Sequence, residues 1–531
     1  MARPVFLNPA VLGIVLLILG SATSVLAGEA EVDDRRLNAE TFRGLALRNI
    51  GPALKSGRIA DLVIHPADES VWYAAVASGG IWKSVNAGTT WIPVFDDQAS
   101  YSVGCLATDP GNPNVIWAGT GEDVGTRHVG FGDGIYRTDD GGNTWQNMGL
   151  RNSEHIARII VSAEDSDVVY VAAQGPLWSK GGDRGFFKTT DGGKSWKKTL
   201  GDDEWTGVTD IVVDPRDSKR IYAATWQRHR NVAAYMGGGP NSGIYRSDDG
   251  GDTWKKLGEG LPEGSMGKIG LTISLQRPDV VYAAIELNRR QGGLYRSMDR
   301  GNSWEMRSDA VSGGTGPQYY QELYASPHEF DRIYLMDVYF KVSLDGGKTF
   351  SPVNARSRHG DSHALAFKLS DPDYIMMGED GGIYESFDQA ENWRWAQNLP
   401  VTQFYKIAVD DDEPFYNIYG GTQDHGSLGG PSRTDNIHGI QNSDWRMVLD
   451  WDGYQTATEP GNPDIIYAKR QEGHLTRIDV PTGEAIFIEP QPEAGEEVER
   501  FNWDAPILVS PHDPARLYFA SQRLWRSDNR G

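Results

Sequence analysis

TTDGGKSW, Thr189 to Trp196, ends one short apolar strand and begins another, and the chain of 531 residues repeats that phrase. The other copies are SVNAGTTW (Ser84 to Trp91), TDDGGNTW (Thr138 to Trp145), SDDGGDTW (Ser247 to Trp254), SMDRGNSW (Ser297 to Trp304), SLDGGKTF (Ser343 to Phe350) and SFDQAENW (Ser386 to Trp393). Their closing aromatics recur roughly every 50 residues, a period of propeller blades rather than of helical solenoids. A second signature alternates with the first. It is a Pro- or Asp-rich turn followed by V/I-x-Y-A, as in DPRDSKRIYAA from Asp214 and RPDVVYAA from Arg277. Together they predict four short strands per blade. At Asp140, Asp191, Asp249, Asp299 and Asp345 the carboxylate accepts turn amide hydrogens and the Gly two positions on adopts positive φ, and the Trp that closes most copies packs between blades.

This phrase resembles the Asp-box, or BNR repeat, of sialidases, sortilin-type receptors and tandem-propeller xyloglucanases. There it staples the outer rim, away from the active face, so the resemblance assigns these aspartates a structural role. Longer phrases, among them GEDGGIYES (Gly378 to Ser386), YGGTQDHGSLGGPSRT (Tyr419 to Thr434) and WDGYQTATEP (Trp451 to Pro460), resemble exported bacterial proteins described as BNR/sortilin-like or glycosyl hydrolase-like.

Seven blades account for residues 45–398. Beyond Trp393 the Asp phrase is lost while the second signature continues, at Phe415 to Gly421, Glu459 to Arg470 and Ser510 to Ser521. The expected fold is all-β: a seven-bladed propeller followed, over 399–531, by three blades of a second one, interrupted within an Asp-box at Ser527, Asn529 and Gly531. A single ten-bladed, sortilin-like ring is the alternative.

Residues 1–27 read as a secretory signal, with an apolar run from Val11 to Leu19 and small residues before a cleavage point at Ala27; residues 28–44 read as a linker. The run is too short to span a bilayer, so the mature form is expected not to cross a membrane and to be secreted or periplasmic. One cysteine, Cys105, excludes an internal disulfide framework. The formal charge of −22 argues against nucleic acid as a partner. No cofactor motif is present, and none is assigned.

Candidate chemistry lies where loops converge on the propeller face. Asp380 in GEDGGIY and Asp424 in GGTQDHGSLGG each follow a strand among glycines, and Asp452 in WDGYQ is a third acid, with Trp451 and Tyr454 beside it as sugar-stacking surfaces. Two carboxyl groups are the minimum for ordinary glycoside hydrolysis. Resemblance to tandem-propeller xyloglucanases implies one acid in the eighth blade, at Asp424, and one in the first. In the first blade ASGGIWKS puts Ser78 in that position, which moves the expectation to Asp380.

Arg58 is a candidate substrate-binding residue. The arginine cluster of a sialidase is not recognisable around it. His359, Asp361 and His363 alternate as they would on one strand face, but hydrogen-bonded loop histidines are the commoner outcome, and no metal is assigned. The expected role is carbohydrate-related, with glycoside hydrolysis at the inter-propeller cleft and a polysaccharide or glycan partner. The alternative is a non-catalytic sortilin-like propeller that binds a peptide or protein. Fold alone does not separate enzyme from binding module.

Overall fold

Each copy of the repeated phrase forms the turn between the third and fourth strands of a four-stranded antiparallel sheet. The computed structural model describes residues 39–45, 47–54, 57–126, 129–288, 291–314, 316–354 and 356–531. The expected signal segment, and residues 28–38 of the expected linker, lie outside them. Two compact units are distinguished, Met1–Asn49 and Ile50–Gly531. In the first, a helical turn at Ala39–Phe42 occupies part of the expected linker. None of the helices among the described residues is long and apolar enough to cross a membrane.

The second unit is all-β, a succession of antiparallel meanders that fill 59–93, 103–147, 156–200, 206–256, 269–308, 323–352, 362–395, 406–449, 453–487 and 507–527. The last has three strands and the others four, with a two-stranded hairpin, His229–Arg230 with Tyr235–Met236, added beside the fourth. Sequence reasoning located every sheet because the second strand carries the V/I-x-Y-A signature. That strand is buried on both faces in Trp72–Val76, Ile116–Thr120 and Val169–Ala173, so it is apolar throughout rather than alternating.

Neighbouring sheets bury these faces against one another. Trp117 and Ile135 of the second sheet pack with Ile156 and Val171 of the third. Ile59, Trp72 and Val76 of the first pack with Ala364, Met376 and Ile383 of the seventh. The first sheet thus has the second on one side and the seventh on the other. The eighth, ninth and tenth follow in the same way, Tyr419 against Ile466 and Tyr467 against Phe519.

The repeated turn is a clamp. In the second sheet Thr138 Oγ1 donates to Asp140 Oδ1 (2.7 Å), and Asp140 accepts from the Thr144 amide (2.9 Å) and hydroxyl (2.7 Å). Gly141 and Gly142 supply the positive φ of 69° and 97°. Two indoles tie their sheets to the one before: Trp145 Nε1 donates to the Val94 carbonyl, and Trp196 Nε1 to the Met148 carbonyl, each at 2.7 Å.

The segment before the first strand is laced to the eighth sheet. The Ala53 amide donates to Asn442 Oδ1 and Trp445 Nε1 donates to the Ile50 carbonyl, both at 3.0 Å. At Gly57 an added Cβ would lie 2.5 Å from the Val401 carbonyl oxygen, so only glycine lets the two backbones pass.

Candidate functional site

In a four-stranded meander the turns between strands one and two and between three and four lie at one end. The turns between strands two and three, and the passages to the next sheet, lie at the other. The repeated Asp turns therefore occupy one end, and the candidate residues the opposite one. Asp380 and Asp424 sit in turns between second and third strands, after Glu379 and Thr422. Arg58, Tyr319, Tyr405 and Asp452 lie in passages leading into a first strand.

Arg58, delivered by the Gly57 crossing, is the hub. Its Nε donates to Asp380 Oδ1 at 2.6 Å and its Nη2 to Asp380 Oδ2 at 2.9 Å, while Nη1 donates to Glu122 Oε2 at 2.9 Å. His363 Nε2 lies 2.9 Å from Asp380 Oδ1. Burial pushes the Asp380 carboxyl up, but Arg58 and His363 reverse the effect and hold it well below the usual carboxylate range. An ionised carboxylate only accepts, so His363 Nε2 is the donor in that contact. Asp380 receives three donors, two on Oδ1 and one on Oδ2, which leaves Oδ2 one acceptor position.

Asp424 has the opposite electrostatics. Its backbone is left-handed, with φ 63°, and its amide donates to Asp452 Oδ1 at 2.9 Å. Burial, and then the negative charges of Asp380, Asp361 and Asp452, push its carboxyl up to about 9. Asp424 and Asp380 line one pocket of about 80 Å³ with Arg58, Glu122, Tyr319 and Tyr405. Tyr405 donates to Gln423 Oε1 at 2.5 Å. An acid that holds its proton at neutral pH thus shares a pocket with a carboxylate that does not.

Of the six residues singled out in the sequence, Arg58, Asp380 and Asp424 line this pocket, and Asp452 reaches it through the Asp424 amide. Tyr454 lies behind Tyr405, its ring 5.3 Å away and tilted, with Lys469 Nζ 4.3 Å over it. Trp451 is exposed and carries the Arg470 guanidinium 5.4 Å over its ring.

The alternating triplet does not share a strand face, because the strand begins only at Ser362 and Asp361 is left-handed at φ 64°. Asp361 accepts instead from the Tyr320 hydroxyl, and His363 turns to Asp380. Among the described residues no group of three or more His, Cys, Asp or Glu could hold a metal.

Glu122, Tyr319 and Tyr405 were not singled out from sequence. A signal for Glu122 existed, since Gly-Glu-Asp recurs at 121–123, just past the second strand, and at 378–380, where the second strand ends at Glu379. Ser78 Oγ lies 3.3 Å from Glu122 Oε1, so the place where the first sheet lacks an acid is filled by its neighbour's.

Comparison with known proteins agrees with this architecture. The Sortilin-Vps10 family model, described as "Sortilin, neurotensin receptor 3", matches residues 133–277. The GH74 xyloglucanase of Xanthomonas campestris superposes with a TM-score of 0.62 at 16% identity, over 91% of this chain and 74% of that one. The fold is that of the xyloglucanase-like β-propellers. The GH74 enzyme of Niastella koreensis gives a TM-score of 0.52, also at 16% identity, over 91% of this chain and 78% of that one. In sequence, xyloglucanase Xgh74A of Acetivibrio thermocellus is 26% identical over 245 residues, 41% of this chain and 27% of the relative. The match thus spans about a quarter of that curated relative's length.

Proposed function

We propose that this is an exported carbohydrate-active propeller that hydrolyses glycosidic bonds in the pocket between the seventh and eighth sheets. The observation that carries the reading is the split between Asp424, protonated up to about pH 9, and Asp380, held ionised by Arg58 and His363 in the same pocket. Two carboxyls driven apart by their surroundings are the general form of an acid and its partner in glycoside hydrolysis. Asp424 donates its proton to the leaving oxygen. Asp380 uses the remaining acceptor position of Oδ2 to orient a water and to take the proton that the water loses as it attacks the sugar, and its charge favours the cationic sugar of the transition state. Asp452 holds the Asp424 backbone, Arg58 and His363 hold Asp380, and Tyr454 supports the pocket wall through Tyr405. Trp451 offers the adjoining exposed ring to a sugar. The relatives named xyloglucanases make xyloglucan the first substrate to try.

Two further elements belong to this proposal. Residues 45–398 form a seven-bladed ring and 399–531 blades of a second, which the packing of the first sheet on the seventh supports. Export rests on the apolar run at 11–19 and the small residues before Ala27.

Reducing-sugar release from xyloglucan and from a panel of other plant, algal and bacterial polysaccharides tests the reading, with Asp424→Asn and Asp380→Asn alongside. Release that either change abolishes supports it. Glycan binding without release would make the protein a carbohydrate-binding module. No glycan interaction from a folded protein would sink the carbohydrate reading and favour a peptide ligand, as the sortilin-like match over 133–277 suggests.

A further inference from the structure

A second and larger cavity, of about 880 Å³, opens at the same end of the sheets, between the fourth and fifth. It is walled by the passage 230–238, by 265–267, by the end of the strand Val281–Asn288 and by Gly316 and Gln318. One partition separates it from the smaller pocket. Gln318 faces the larger cavity while the next residue, Tyr319, faces the smaller, and Thr126 lines the smaller beside Gly125. The Gly125 amide donates to the Gln318 carbonyl at 2.8 Å, and the Gly125 carbonyl accepts from Arg230 Nη2 at 2.8 Å. The two cavities are therefore neighbours across a wall one strand of backbone thick.

The chemistry of the larger cavity suits a polyhydroxylated ligand. Its walls offer amides at Asn231, Asn288 and Gln318, a hydroxyl at Ser265, the Glu286 carboxyl and glycine backbone at 237, 238 and 267. Among the described lining residues Arg230 is the cation, and it is engaged by the Gly125 carbonyl and by the Tyr235 ring, 4.5 Å from its guanidinium carbon.

We infer that the larger cavity is a distal binding site for the same glycan, so that a long chain crosses the Gln318–Tyr319 partition and is held at both ends. This rests on the carbohydrate reading of the smaller pocket, and it adds a preference for polymer over short oligosaccharide. Binding is read on the full chain carrying Asp424→Asn, so that the probes survive, with a single xyloglucan repeating unit and with polymeric xyloglucan. The expected result is polymer binding tighter by about tenfold or more per mole of sites, the equivalent of one or two net hydrogen bonds. Ser265→Trp, an exposed position that fills the cavity, and Asn288→Ala, also exposed, should each erase that advantage and leave repeating-unit binding unchanged. Equal affinity for both probes, or an advantage that survives both substitutions, overturns the distal site while the smaller pocket stands. Binding of neither probe overturns both.

Discussion

Arg58 and Asp380 stand 322 positions apart in the chain and meet through two parallel hydrogen bonds of 2.6 and 2.9 Å. One residue enters the first sheet and the other caps a turn of the seventh, so the pair joins those sheets at the end where the candidate chemistry lies. The same contact fixes the ionisation of Asp380. It is therefore a structural clasp and an electrostatic setting at once.

Arg58→Ala should destabilise the fold by about 3–5 kcal/mol, because it leaves the carboxylates of Asp380 and Glu122 buried without their cation. Arg58→Lys should fall between, since an ammonium cannot span both oxygens of Asp380 as the planar fork does. Urea unfolding of the three proteins measures this, and equal midpoints for Arg and Ala would contradict it.

Stability should fall with rising pH on account of Asp424. Folded Asp424 keeps its proton to about 9, whereas in the unfolded chain it ionises near 3.8. Between those values the native state holds the extra proton, and stability declines as pH rises. Asp424→Asn removes the dependence, so its advantage over the parent should widen from pH 5 to pH 9. A gap in urea midpoint that stays constant over this range would refute the assignment.

If hydrolysis is found, kcat/KM should decline above about pH 9 as Asp424 loses its proton. Asp424→Asn should lower kcat by about 10²- to 10⁴-fold, the usual contribution of a general acid. An alkaline limb that is unchanged in the Asn protein would place the acid elsewhere.

The repeated turns should govern acid unfolding. Hydrogen bonds from Thr144 and Thr138 hold Asp140 down to about 2, and Asp345 is likewise held at about 2 by Thr349. A depressed carboxylate contributes stability above its unfolded value, near 3.8, and loses it as pH falls through its folded one. Asp140→Asn and Asp345→Asn should therefore narrow the stability difference from the parent between pH 4 and pH 2. Acid titrations followed by tryptophan fluorescence read it directly.

Trp445→Ala should cost about 3–5 kcal/mol, as expected for truncating a buried indole. Trp445→Phe should cost less and isolate the hydrogen bond to Ile50. Thermal melts that place the Phe variant within a degree of the parent would show that the lacing is ornamental.

The fold was legible because its determinants are local and repeated. The Gly at positive φ, the Asp that clamps a Thr, and the Trp one residue later all lie within eight positions, and seven copies reinforce one another. The site was legible only where a residue announces itself beside glycine, as Asp380 and Asp424 do. Glu122 and Tyr405 gain their meaning from Arg58, which lies 64 positions from Glu122 and in a different sheet. The alternation of His359, Asp361 and His363 would have needed a strand from His359, and the strand starts three residues later, at Ser362.

The lacing of Ile50 and Ala53 to the eighth sheet also orders events in time. Ile50 leaves the ribosome early, and its indole partner is 395 residues behind it. Until then Trp445 cannot fasten it, and closing so long a loop carries an entropic cost that grows only slowly with length. The seven earlier sheets can form meanwhile through their own short-range turns. The lacing then acts as a late checkpoint, since it can close only after translation has passed the eighth sheet.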